Sequence, residues 1–500
     1  MINIPHPYYL YTAEQSRFMD EKIITEFGID GFTLMEIAGT RAADFIQTSV
    51  PENSHALFFC GKGNNAGDAL VVARLLSQQD YVITVCFLSG TDSLSADTQK
   101  NFELLQKLEA DITVLNWEDF KAEDYDFIVD GMMGTGLNSD VRAPYSEAID
   151  WINQQEEIPV FALDIPTGLQ ADTGQIMGTV VQADFTLTFG TLKTGFYLNK
   201  GFDVSGEVVL CDLPFPNKYR KAAANLIDRS WVDANSADPK KQKHKYEGGV
   251  LYVIAGSEGL TGAAILVAKS AWSAGLGAVI IITPKGLLEI YEKNLVQIIK
   301  KPVGNATDFY FRESHLQEVQ DILAEKPGKL VIGPGLGRKK ETINFTQQLL
   351  KSYEGDAVID ADALFALSKS KDWQRPKSSS WILTPHPGEL HSLLDSDVSD
   401  GYERMIQVSK SSKEKEVFML SKGLPSILGT VSGDIYLTGY DTRIFSRAGF
   451  GDVMAGKIGA FWLKFNFPDL ACLHALLNGY EKSIQYFESN SGSLEPLNII

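Results

Sequence analysis

Short, continuously apolar runs alternate with longer stretches whose apolar side chains recur at helical spacing, and the alternation occurs twice along the chain. In the first half, two helices come first, with Thr12 and Gln15, then Thr33 and Glu36, reading as capping boxes. Apolar strands follow at 56–60, 81–88, 112–115, 127–129 and 160–163, with helical patterns at 67–78 and 95–108. In the second half, strands are predicted at 250–255, 278–282, 329–332, 357–359, 381–383 and 417–420, with a small-residue helix running to Ala274. Strands without polar alternation, separated by amphipathic helices, are those of parallel sheets covered on both faces. The fold class expected is therefore α/β, as two three-layer αβα domains.

Ligands of such sheets bind beyond the carboxyl ends of the strands. Those positions carry Gly61-Lys62-Gly63-Asn64-Asn65-Ala66-Gly67-Asp68, Asp130-Gly131-Met132-Met133-Gly134-Thr135-Gly136-Leu137 and Asp164-Ile165-Pro166-Thr167-Gly168. The first lacks the ending of a P-loop, but it offers bare amides and carboxamides at a helix start. In the second half the exits are Gly256 to Ala264, Gly333-Pro334-Gly335-Leu336-Gly337, Asp360-Ala361-Asp362, Thr384-Pro385-His386-Pro387-Gly388-Glu389 and Lys422-Gly423-Leu424-Pro425-Ser426. Near the C-terminus, Ala448-Gly449-Phe450-Gly451-Asp452 opens into an apolar helix. Its glycines clear a turn for backbone amides, and the helix dipole points at the same place, so an anion is favoured there. A carboxylate beside an anion hole suits proton transfer from a hydroxyl during phosphoryl transfer; the plain alternative is a helix cap. Local alternatives also stand for Asp164 as a turn cap, Lys193 and Lys422 as solvated lysines, His386 as a structural histidine and Asn65 as a left-handed turn residue.

The 500 residues require more than one core. A formal net charge of −19 argues against nucleic acid, though not against nucleotides, which need only local donors. Cys60, Cys86, Cys211 and Cys472 show no metal or redox spacing and lie in apolar runs, so buried free thiols are expected. No basic region followed by an apolar run opens the chain, and no apolar segment is long enough to span a bilayer. A soluble cytoplasmic protein with no membrane partner is the expectation. Residues 234–245 are polar and lysine-rich and read as a linker.

The Gly-x-Gly-Asn-Asn-x-Gly-Asp loop, Leu34-Met35-Glu36-Ile37-Ala38-Gly39 and Asp164 to Gly168 resemble the epimerase domain of NAD(P)H-hydrate repair enzymes. The resemblance implies interconversion of the R and S hydrates of NADH and NADPH, with K⁺ held by Asn65, Asp130 and Thr167. It implies hydrate contacts at Asn64, Asn65, Ala66, Gly67, Asp68, Gly134, Thr135, Gly136, Leu137, Asn138, Ser139, Asp140 and Asp164, with Asp164 and Lys193 catalytic. Ala66 and Ala69 replace family glycines, which would shift the loop if either position needs positive φ.

The ordered exits of the second half resemble the ribokinase-like dehydratase domain of the same enzymes. By that resemblance Ala263, Gly337, His386 and Asp452 contact the hydrate, and Lys422, Gly423, Leu424, Pro425, Ser426 and Gly451 the adenine nucleotide. Asp452 is the implied base, ADP the implied phosphoryl donor, and Mg²⁺ the cation such a transfer uses. Phe365 stands where the family has asparagine, and Ala448 where it has glycine. The domains expected are a Rossmann-like epimerase at 1–222, a linker at 223–240 and the dehydratase at 241–500, in a homo-oligomer. A ribokinase-like kinase of a vitamin-precursor alcohol, or a nucleotide-binding scaffold with decayed sites, are the alternative readings.

Overall fold

The computed structural model describes residues 8–108, 110–236, 249–370 and 372–500. The chain forms two compact units, Tyr8–Ala224 and Asn225–Ile500.

The first unit contains β1 (Tyr8–Tyr11), α1 (Ala13–Lys22), α2 (Gly31–Ser49), β2 (His55–Cys60), α3 (Asn64–Leu76), β3 (Val82–Phe87) and α4 (Ala96–Leu105). It continues through β4 (Ile112–Asn116), β5 (Phe127–Gly131), α5 (Tyr145–Ile152), β6 (Val160–Leu163), β7 (Phe185–Phe189), β8 (Leu192–Lys193), α6 (Gly201–Val204) and β9 (Glu207–Cys211). Seven strands form one parallel sheet in the order β4-β3-β2-β5-β6-β7-β9. Both faces are covered: Ala56, Phe58 and Cys60 pack with α2 and α3, while Leu57 and Phe59 pack with α5. This explains why β2 is apolar at every position instead of alternating. Strand order reverses between β2 and β5, so their exits open into a crevice.

The second unit contains β10 (Ala224–Leu226), α7 (Arg229–Asn235), β11 (Val250–Ile254), α8 (Thr261–Ser273), β12 (Val279–Pro284), α9 (Leu288–Asn294), β13 (Ile299–Val303), α10 (Leu316–Ala324) and β14 (Gly328–Ile332). Then come α11 (Lys340–Ser352), β15 (Ala357–Ile359), α12 (Ala361–Ser368), β16 (Trp381–Leu383), α13 (Pro387–Leu394), α14 (Gly401–Lys415), β17 (Phe418–Ser421), β18 (Ile427–Gly429) and β19 (Ile435–Leu437). Helices α15 (Phe450–Phe465) and α16 (Pro468–Ser489) follow. Strands β13-β12-β11-β14-β15-β16-β17 are parallel, with the reversal between β11 and β14. An antiparallel pair, β18 and β19, extends the edge, and β10 adds to it in parallel.

Three local expectations change. The helix expected from Thr33 begins at Gly31, capped by Asp30, and Glu36 instead pairs with Arg74. Part of the linker, 224–235, forms β10 and α7, because Asp228 caps the helix and Val232 joins the core; residues 237–240 lie outside the described residues. Ala66 and Ala69 fall inside α3 with ordinary φ, so the alanines cost no left-handed strain and favour the helix. The four cysteines are free and buried.

Helix α15 is held to α8 and the sheet through its glycines. A Cβ on Gly456 would lie 2.1 Å from the Ser270 hydroxyl and 2.4 Å from the Val267 carbonyl, and one on Gly459 would lie 2.7 Å from Val331. Gly262, in α8, has nothing within 4 Å. Denaturant unfolding therefore separates two substitutions. Gly456→Ala is expected to destabilise the second unit by about 1–3 kcal/mol through overpacking, and Gly262→Ala to be neutral or stabilising by up to about 1 kcal/mol.

Candidate active sites

In the first unit the β2 exit turns at once into α3. Gly61 is required there, because a Cβ would lie 2.1 Å from the Met132 carbonyl of the β5 exit. That close approach brings Asn65, Asp130 and Thr167 together. Asp130 is fully buried and accepts from the Thr167 backbone at 2.8 Å, its hydroxyl at 2.7 Å and the Met132 amide at 3.1 Å. Burial still raises its pKa, to about 6, against those bonds. Asn65 donates to the Met133 carbonyl at 3.1 Å, while its own Oδ1 is buried without a hydrogen-bond partner. Asn65 is helical, not a left-handed turn residue.

The adjoining cleft has a volume of about 640 Å³. Its wall includes Asn64, Asn65, Asp68, Gly134, Thr135, Gly136, Leu137, Asn138, Asp164 and Lys193. Ala66 and Gly67 are buried beneath it, Gly67 against Met35 and Thr98, and Ser139 and Asp140 are not part of its wall. Lys193 is no surface lysine: it is 1% exposed, ion-paired with Asp164 and bonded to the Thr188 hydroxyl at 2.7 Å. Asp164 leaves β6 with φ +62, a left-handed backbone that costs strain outside glycine. Burial first, then the charges of Asp164 and Asp20, holds Asp68 well above the usual carboxylate range. Asp20, on α1, lines the same cleft and is raised to about 6 by burial and Asp164, with Lys193 opposing. Sequence reading missed Asp20, since α1 shows only an amphipathic helix and its approach depends on tertiary packing through Ser16 and Thr191, 2.9 Å apart.

In the second unit the exits of β11, β14, β15, β16 and β17 meet the start of α15. Gly449 takes φ +97 at the helix cap, the Phe450 amide donates to the Arg447 carbonyl at 3.5 Å, and the Gly451 and Asp452 amides of the first turn have no acceptor within the helix. Lys422 donates to Asp360 at 2.7 Å, and Asp360 also accepts the Thr384 hydroxyl at 2.8 Å. A Cβ on Gly451 would sit 3.4 Å from Lys422 Nζ, so the lysine lies against the glycine turn. Burial alone would lower the pKa of Lys422, but Asp360, Glu389 and Asp452 outweigh it and the net shift is upward. Asp452 is raised to about 7, first by burial and then by the negative charge of Asp360, with Lys422 opposing and Asp362 adding. Asp452 is no bland helix cap, because the cap position belongs to Gly449.

The other expected contacts ring the same exits. Gly337 donates to Asp362 at 2.9 Å and lies beside Ser257; Gly335 packs against Ala263. His386 caps α13, its Nδ1 accepting from Gly388 and Glu389, so the neutral ring carries its proton on Nε2 and presents a half-exposed face. The Lys422 amide donates to the Pro385 carbonyl at 2.8 Å, tying the His386 and Lys422 loops together. Within the Asp360-Ala361-Asp362 exit, Ala361 takes φ +48 between the two carboxylates, a conformation not evident from the sequence. One further residue escaped sequence reading. Arg404 of α14 is 3% exposed and grips the carbonyls of Lys422, Leu424 and Pro425 at 2.9, 3.0 and 2.7 Å. An arginine on a helix gives no sequence signal for such a role.

Two doubly wound α/β units, each gathering ionisable groups at its own topological switch point, define an enzyme with two centres. Residues 31–195 match the family described as YjeF-related protein N-terminus, and residues 251–498 match NAD(P)H-hydrate dehydratase. The chain is 31% identical to the bifunctional NAD(P)H-hydrate repair enzyme Nnr of Moorella thermoacetica, covering 90% of this chain and 87% of that protein. It is 31% identical to that of Salinibacter ruber, covering 89% and 86%. A solved structure, the ADP/ATP-dependent NAD(P)H-hydrate dehydratase of Bacillus subtilis co-crystallised with ATP/Mg²⁺, is 21% identical with a TM-score of 0.48, covering 55% and 95%. The chain belongs to the bifunctional NAD(P)H-hydrate repair enzymes, pairing an epimerase domain with a dehydratase domain.

Removing the Arg404 fork would strand three carbonyls, the Pro425 one buried and those of Lys422 and Leu424 partly so. Arg404→Met is expected to cost at least about 2 kcal/mol and to raise amide exchange selectively in 422–426. Unchanged exchange there would show that the loop holds its shape without the arginine.

Proposed function

We propose that Asp452 is the base of an ADP-dependent dehydration of the S hydrates of NADH and NADPH. The observation that carries this is a half-buried carboxyl raised to about 7 at a helix start, beside a lysine that faces the same turn. Asp452 takes the proton of the C6 hydroxyl as that oxygen bonds the terminal phosphorus of ADP, releasing AMP. The C6–O bond then breaks, its electron pair leaving on phosphate while nitrogen lone-pair density assists. Loss of a C5 proton restores the ring double bond. Amides of Gly449 and Gly451 and the ammonium of Lys422 stabilise the transferring group. The 422–426 loop holds the nucleotide, and Ala263, Gly337 and His386 hold the hydrate. Mg²⁺, the cation such a transfer uses, would supply positive charge to the phosphoryl oxygens when bound.

In the first unit, Asp164 and Lys193 move protons at the hydrate carbon in the 640 Å³ cleft, which Asn64, Asn65, Asp68 and 134–138 line. Asn65, Asp130 and Thr167 would hold K⁺, and the unpartnered Asn65 Oδ1 beside a buried carboxylate fits a hard, oxygen-seeking cation. The bound ion would supply fixed positive charge beside the cleft. Ala66 and Gly67, which adjoin Asn65 and Asp68, and the exposed Ser139 and Asp140, which follow Asn138, complete the proposed hydrate contacts. The working form proposed is a cytoplasmic homo-oligomer without nucleic-acid or membrane partners, a setting that buried free thiols suit.

Kinetic and melting measurements check these assignments. Asp452→Asn is expected to lower turnover of the S hydrate by about 10²–10⁴-fold with nucleotide binding retained, and wild-type kcat/KM to rise with pH through about 7 as the base loses its proton. Near-normal turnover of the variant removes the assigned base. Replacing choline by K⁺ at equal ionic strength is expected to raise the melting point of the first unit by about 2–4 °C. Asn65→Ala should abolish that gain; persistence of the full gain would locate the ion elsewhere.

A further inference from the structure

Phe365 and Arg338 together alter the rim of the dehydratase centre. Arg338 follows Gly337 directly and donates through Nε to Asp362 at 2.9 Å, while its guanidinium lies over the Phe365 ring at 4.4 Å. Both holds act on one edge and one face of the planar group. The side chain nevertheless remains 57% exposed, so its terminal NH₂ groups stay available. Lys369 stands at 4.6 Å from the same ring. Lys339 lies 3.8 Å, and Arg312 4.5 Å, from the centre of Tyr310. The Tyr310 loop is tied to the site, since the Glu258 amide donates to the Phe309 carbonyl at 3.0 Å and the Ser257 hydroxyl to the Gly335 carbonyl at 3.0 Å. Four cations thus stand on two aromatic platforms at one rim of a chain whose net charge is −19.

A cation already tied to a carboxylate and still half-exposed is pre-organised for an external anion, because little side-chain freedom remains to be lost. An asparagine at 365 would offer no face to a guanidinium, so the phenylalanine adds a second hold on Arg338 to that of Asp362. We propose that Arg338, held over Phe365 and seconded by Lys339, binds a phosphate group of the dinucleotide hydrate and so sets affinity for that substrate at the dehydratase centre. This rests on the dehydration proposed above. Two phosphate sources share this chemistry, the pyrophosphate bridge and the 2′-phosphate that only the NADPH form carries.

The test is steady-state dehydration of the S hydrates of NADH and NADPH, each with ADP and Mg²⁺, by the full-length wild type, Arg338→Ala, Arg338→Lys and Phe365→Ala. Expected for Arg338→Ala is a rise of about tenfold in hydrate KM, with kcat within about threefold and ADP KM within about twofold, the loss of one charge-assisted contact. Arg338→Lys should recover only part of it, since an ammonium cannot keep the edge and the stacked face together, and Phe365→Ala should raise hydrate KM by about threefold. The salt dependence of hydrate KM should flatten in Arg338→Ala. An equal rise for both hydrates supports the pyrophosphate, and a rise confined to the NADPH form supports the 2′-phosphate. Unchanged hydrate KM, a rise in ADP KM alone, or full activity of Arg338→Lys overturns the assignment. If wild-type enzyme dehydrates neither hydrate, it is the dehydration reading that fails.

Discussion

The dehydratase centre depends on a shortage of positive charge. Lys422 is bonded to Asp360 at 2.7 Å, yet Glu389 and Asp452 also lie within its field. Asp360 is the better satisfied, with the Thr384 hydroxyl as a second donor. Asp452 receives only part of the lysine's charge, while burial and Asp360 push its proton affinity upward. The N-terminal dipole of α15 works in the opposite direction but is outweighed. The outcome is a carboxyl able to take a proton near neutral pH beside amides that favour an arriving phosphate.

The rest of the second unit keeps that balance in place. Close contacts at Gly456 and Gly459 bind α15 to α8 and the sheet, which sets Asp452 relative to Asp360. Arg404 holds the Lys422 loop from behind. In the first unit the same device recurs with different parts: Lys193 pairs with Asp164, and the nearby Asp68 and Asp20 hold their protons more tightly than an ordinary carboxylate. Each unit also places a left-handed non-glycine residue at a strand exit, Asp164 in one and Ala361 in the other. Strain of this kind persists only where surrounding contacts fix the backbone.

Most of the parallel strands and their exits were legible in the sequence because buried parallel strands are apolar throughout and glycine clusters mark the turns after them, whereas β7, β9 and β13, which mix threonine, glutamate or lysine with apolar residues, were not. Asn65, Asp130, Asp452 and Lys422 could be found for that reason. The antiparallel pair β18 and β19 was also missed: each has three residues, as β15 and β16 do, but neither falls in the strand-then-helix alternation that marked those two. Asp20 and Arg404 were missed because each reaches its site from a helix of unremarkable sequence, by packing alone. The cost expected of Ala66 and Ala69 was overstated because α3 starts earlier than the glycine-rich pattern suggested. Phe365 read only as a departure from the family's asparagine, and its role as a platform emerged only once Arg338 lay over it.

The most direct test of this charge balance is infrared difference titration of the Asp452 carboxyl, its band identified by subtracting the spectrum of the asparagine variant. A protonation midpoint near 7 is expected, falling when Asp360 is replaced by asparagine. A midpoint near the ordinary carboxylate value of about 4 in the wild type would contradict the account, because Asp452 would then be too weak a base for the role it has been given.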